Sequence, residues 1–151
     1  MKKNLAALGL AALMLAACSS NGGTTTDDTA SEGAKTYEAT VEDASNQDEV
    51  TATLTKEDGK LTGISIDELQ PESEKTKKEL KEDYGMRDKS PIGKEWYEQI
   101  DALEQFILAN GVDAVELDAD GKATNEDLKS SCTINIATIM DAVKKADEKS
   151  E

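Results

Sequence analysis

Histidine is absent from this chain, and arginine, tryptophan and phenylalanine occur once each. Without an imidazole there is no Ser-His-Asp triad, no histidine-ligated metal, and no side chain whose ordinary pKa lies near neutrality. No pair of carboxylates stands at a recognisable acid–base spacing either, so a hydrolase is poorly supported. With Arg87 the only guanidinium and no Gly-rich phosphate loop, a free phosphorylated ligand finds few evident partners. Positive charge is scarce: 17 basic against 32 acidic residues give a formal charge of −15. Such a surface repels nucleic acid and anionic lipid headgroups. Aromatic residues make up 3% of the sequence, which implies a small core of ordinary or marginal stability.

What is present begins with targeting. Lys2 and Lys3 form a basic n-region, Leu5 to Leu13 an apolar run too short to span a bilayer, and Leu15-Ala16-Ala17-Cys18 matches a bacterial lipobox. The segment resembles the leader of lipoprotein precursors. The resemblance implies cleavage after residue 17 and a diacylglycerol thioether on Cys18, anchoring the protein at the outer face of the cell membrane. Each buried methylene of such an anchor adds about 0.8 kcal/mol. An ordinary secreted protein with an incidental Cys18 is the other reading. Loss of Lys2 and Lys3 with the leader makes the mature chain two units more negative. With Cys18 lipidated, Cys132 is the remaining thiol and has no intramolecular partner, so it is either a small buried hydrophobe or a reactive group.

Residues 18–35, rich in Ser, Thr, Gly and Asp, bury too little apolar surface to offset chain entropy and read as a flexible tether. A domain follows over 36–151. Tyr37, Ala39 and Val41 alternate with polar residues, as do Val50, Ala52 and Leu54; Asp58-Gly59 then predicts a tight hairpin into Leu61, Ile64 and Ile66. From Pro71 to Asp83 the chain is nearly all charge and, if helical, reads as a solvated helix rather than a core element. Tyr84 and Met86 break it, and serve either to cap the core or to pack against a ligand. Ser90 and Pro91 predict the start of a helix carrying Trp96, Ile100, Leu103 and Ile107 on one face, ended by Asn110-Gly111. Val112, Val115 and Leu117 suggest a short strand. A last helix, capped by Asn135, places Ile136, Ile139, Met140, Val143 and Ala146 together. The expected fold is α+β: a small antiparallel sheet packed by two or three helices.

Just before that last helix runs Asp127-Leu128-Lys129-Ser130-Ser131-Cys132-Thr133. The spacing Asp-x-x-Ser-x-x-Thr resembles the flavinylation motif of the FMN-binding domain family, which reads Asp-x-x-Ser/Thr-Gly-Ala-Ser/Thr. The family includes flavin subunits of the sodium-pumping NADH:quinone oxidoreductase and Rnf complexes and extracellular flavoprotein lipoproteins. The hairpin through Asp58-Gly59-Lys60 also looks like the family's opening, so the resemblance spans about residues 36 to 146. It implies that a flavin transferase esterifies FMN to Thr133, with Asp127 as the acidic position and Ser130 as the first hydroxyl. Ser131 and Cys132 depart from the pattern, standing where it has glycine and alanine. The implied protein is a membrane-anchored electron carrier with membrane or extracellular redox partners. The alternative is a cofactor-free lipoprotein that binds a small ligand or a protein on the same scaffold, with residues 127 to 133 acting as a turn and helix cap.

Overall fold

The computed structural model describes residues 33–150. The leader, Cys18 and the tether up to residue 32 lie outside the described residues. The remainder is an α+β fold whose alternating segments form an antiparallel meander, β1 (Lys35–Glu42), β2 (Glu49–Glu57) and β3 (Lys60–Leu69), in spatial order β1-β2-β3. Register follows from side-chain parity. Ala39 pairs with Ala52 and Ala52 with Ile66, so the apolar set of all three strands shares one face. The β2–β3 turn is Asp58-Gly59, with φ of +50° and +77°, the left-handed pair that a two-residue hairpin requires and that glycine adopts without steric cost.

Two long helices cover the inner face. α2 (Trp96–Asn110) packs on β3, and α4 (Ala137–Glu148) packs on β1 and β2. Their buried residues are the expected stripes: Trp96, Ile100, Leu103 and Ile107 on one, Ile139, Met140, Val143 and Ala146 on the other. Leu54, Ile66, Ile100, Leu103 and Ile107 are fully buried at the junction, each contributing about 1.5–3 kcal/mol by leaving water. Two single-turn helices, α1 (Lys77–Leu80) and α3 (Glu126–Lys129), complete the described set. No helix among the described residues is long and apolar enough to cross a membrane.

Three expectations are corrected. The helix predicted from Ser90-Pro91 begins at Trp96, because Glu95 and Glu98 form a reciprocal capping box there and Gly93 sits at φ +64°. The Ser90 hydroxyl instead accepts from Gln99 Nε2 at 3.2 Å. The strand predicted through Val112, Val115 and Leu117 is a 3-10 turn over Val112–Ala114 followed by a single bridge, Leu117 to Ala123. Finally, the charged stretch from Pro71 is not uniformly solvated: Lys77 is buried under the sheet's edge.

Candidate functional site

The chain leaving α3 turns on one carbonyl. Leu128 C=O accepts the N–H groups of Ser131 (2.9 Å) and Cys132 (2.8 Å), which drives Cys132 into the core and turns Thr133 toward α2. Burial pushes the Cys132 thiol up to about 11, opposed in part by a backbone hydrogen bond and by the charge of Lys94. The thiolate is disfavoured in this buried position, where Cys132 packs as a small apolar side chain. Ser131 is half-buried and does not adopt positive φ, so this turn makes no left-handed demand at the glycine position. Asp127 and Ser130 stay exposed; the Ser130 hydroxyl donates to the Asp127 carbonyl at 3.4 Å. Of the five motif residues, then, Cys132 is buried, Ser131 and Thr133 are half-buried with Thr133 bonded to α2, and Asp127 and Ser130 are exposed.

Thr133 is half-buried, and Gln99 holds it. The Gln99 Oε1 atom accepts the Thr133 backbone N–H at 2.8 Å and its hydroxyl at 3.2 Å. One residue on, a cleft of about 370 Å³ opens at Ile134, Asn135 and Thr138, within the range of roughly 300–1,000 Å³ usual for small-ligand sites. Tyr84, Met86 and Trp96 line it as well, together with Lys77 and Glu68. The α4 side is fixed by Asn135, whose Nδ2 donates to the Asp120 carbonyl (2.8 Å) while its Oδ1 accepts the Ala137 N–H (2.9 Å). The Tyr84 side is fixed by Glu95. This buried carboxylate accepts the N–H groups of Met86 (2.8 Å) and Arg87 (3.1 Å).

Lys77 is the electrostatic centre of the cleft. Its ammonium is 2.8 Å from Asp48 and 2.8 Å from Glu68, and lies 5.2 Å and 5.6 Å from the ring centres of Tyr84 and Trp96. Burial works against the charged lysine, but the bonds from Asp48 and Glu68 outweigh it and hold its pKa above the ordinary value. Burial raises Glu68 despite Lys77. Asp43, at the cleft's rim, is lowered by the Ser45 hydroxyl and N–H. Lys77 is thus already neutralised by its two carboxylates, and the charge of Lys94 is felt at Cys132. Among the described residues, no group of three or more His, Cys, Asp or Glu side chains is arranged to hold a metal ion.

Sequence reasoning missed Gln99, Glu95 and the Asp48–Lys77–Glu68 cluster. Two of these carried a signal. Gln99 lies three residues after Trp96, on the apolar stripe, and Glu68 continues the inward parity of Ile64 and Ile66.

The chain matches no protein-family model and none of the curated proteins. It is similar in fold to a solution NMR structure of a Clostridium thermocellum protein determined by the Northeast Structural Genomics Consortium. The match has 20% sequence identity and a TM-score of 0.52, and covers 77% of this chain and 90% of that one. At this identity the likeness speaks to the fold.

Proposed function

We propose that this protein is a membrane-anchored extracytoplasmic flavoprotein that passes electrons through an FMN esterified to Thr133, with Cys18 as its lipid anchor. The observation that supports this reading best is the placement of one hydroxyl. Thr133 is half-exposed, fixed by Gln99, and one residue from a cleft walled by Tyr84, Met86 and Trp96. The residues fit the group in three respects. The aromatic and thioether wall suits a flat heteroaromatic ring. Lys94, whose carbonyl accepts a bond from the same Gln99 that holds Thr133 and whose charge is felt at Cys132, would offer positive charge to a phosphodiester. Esterification removes only the hydroxyl's bond to Gln99, leaving the backbone N–H bond that positions residue 133.

The bound flavin would supply the one- and two-electron redox chemistry. The chain's own residues would set its environment. Glu68 and Asp43 place carboxylates at the cleft, disfavouring an anionic reduced ring and lowering the potential. Covalent attachment suits a site outside the membrane, where a free cofactor would diffuse away. A flavin transferase and membrane or extracellular redox partners complete the scheme.

The cofactor-free binding lipoprotein is favoured by one observation. The cleft's only lysine is held by two carboxylates and has little left for an anionic ligand. Intact mass and in-gel flavin fluorescence after co-expression with a flavin transferase separate the two. The expected result is FMN that survives denaturation and is lost in Thr133→Ala; an unmodified mass in both proteins selects the cofactor-free reading.

A further inference from the structure

We propose that Gln99 is the positioning residue that presents the Thr133 hydroxyl for phosphoryl transfer, an inference that rests on the flavin reading above. Gln99 is fully buried in the apolar stripe of α2, between Trp96 and Leu103, where a hydrophobic residue would pack at less cost. Its amide is saturated. Oε1 accepts the N–H and the hydroxyl of Thr133, while Nε2 donates to the Ser90 hydroxyl at 3.2 Å and the Lys94 carbonyl at 3.3 Å. Only one orientation of the amide satisfies these four partners. Flipped, its oxygen would face the Lys94 carbonyl and its NH₂ the Thr133 N–H. The Ser90–Lys94 turn thus locks Gln99, and Gln99 locks both the backbone and the side-chain rotamer of Thr133.

The chemistry needs that lock. An alcohol does not esterify an unactivated phosphate in water, so the flavin must arrive as a phosphoanhydride. Thr133 Oγ1 forms the new P–O bond, the anhydride P–O bond breaks, a nucleoside monophosphate departs, and the hydroxyl proton leaves to the transferase or to solvent. An amide oxygen is too weak a base to take that proton. Gln99 acts instead by directing the hydroxyl's hydrogen inward, which turns the oxygen lone pairs out toward the incoming phosphorus. Held orientation of this kind acts on the transfer step rather than on docking of the two proteins.

The test is the rate of FMN attachment to the mature domain by purified flavin transferase with flavin dinucleotide, followed by intact mass. Wild type, Gln99→Leu, Gln99→Glu and Ser90→Ala are compared, each checked for fold by circular dichroism and NMR. Wild type must be labelled; if it is not, the flavin reading fails and this inference with it. Given labelling, folded Gln99→Leu is expected to lose about tenfold to a hundredfold in kcat with KM for the domain little changed. Gln99→Glu keeps an acceptor oxygen toward Thr133 and, protonated in its buried site, still donates to the Lys94 carbonyl, and is expected to recover part of the rate. Wild-type kcat in folded Gln99→Leu, or a loss confined to KM, overturns the assignment while leaving the flavin reading intact. Should Gln99→Leu fail to fold, Ser90→Ala decides. It frees one side of the amide at the protein surface, so a several-fold slower transfer supports the inference and an unchanged rate overturns it.

Discussion

Replacing Lys77 with methionine is the perturbation whose size the structure constrains most tightly. The side chain keeps its apolar length under Tyr84 and Trp96 but loses the ammonium, leaving Asp48 and Glu68 facing each other. Their side chains are 4% and 7% exposed. Removing one partner of a buried ion pair costs about 3–5 kcal/mol, because the remaining charge is left without compensation. Two ring contacts are lost as well, each worth about 0.5–2 kcal/mol. Together these losses come to about 4–9 kcal/mol against a typical domain stability of about 5–15 kcal/mol, so Lys77→Met should be strongly weakened, with Tm lower by roughly 15–35 °C. The assay is urea and thermal unfolding followed by circular dichroism and Trp96 fluorescence.

The pH dependence gives a second readout of the same perturbation. In wild type, the folded pKa of Lys77 lies above its ordinary 10.5, so its contribution is complete below that value and is lost as pH rises through the folded pKa. Glu68 is raised in the fold by burial even with the lysine present. Without the cation it rises further, so the stability deficit of Lys77→Met should shrink on going from neutral to mildly acidic pH, where the carboxylate pair takes up a proton. Adding Glu68→Gln should recover part of the loss at neutral pH. A deficit under about 1 kcal/mol, the size of an exposed ion pair, or one that acidification does not reduce, would refute the reasoning.

Two other substitutions test the packing next to the site. Cys132 should resist thiol reagents in the folded protein and react at once in denaturant, and Cys132→Ala should cost about 1 kcal/mol in urea unfolding while leaving flavin attachment intact. Rapid modification of native protein, or loss of attachment in that variant, would show that the thiol is more than filler. Gly121 has φ +74°, and a Cβ there would lie 2.6 Å from Asn135 Oδ1 and 2.9 Å from Ala137 Cβ. Gly121→Ala should therefore destabilise by about 1–3 kcal/mol in the same unfolding assay. A change within about 0.5 kcal/mol would mean that the turn beneath α4 yields freely.

The sheet and both long helices were legible because each obeys a period. Parity put Ala39, Ala52 and Ile66 on one face, and 3.6-residue spacing put Ile100, Leu103 and Ile107 on another. The same spacing could not fix where α2 starts. Ser90-Pro91 carries a valid starting signal, but a capping box five residues later wins because it satisfies two backbone N–H groups reciprocally. Lys77 was hidden for a different reason. Its burial depends on Glu68, nine residues back on β3, and on Asp48, in a loop 29 residues back, and no helical or strand period announces such a pairing. The motif from Asp127 to Thr133 was visible as a string of residue types. Which of them face inward is decided by the Leu128 carbonyl and by Gln99, on another helix.

The last helix lies across the first strands: α4 covers β1 and β2, and Lys149 reaches the Glu38 carbonyl across 111 positions of sequence. The apolar face of the opening hairpin therefore stays uncovered until α4 has been synthesised. Closing so long a loop comes before the contacts that reward it. A chain built this way cannot seal its core on the first two strands until α4 arrives, so the opening strands and the last helix are expected to fold as one cooperative unit.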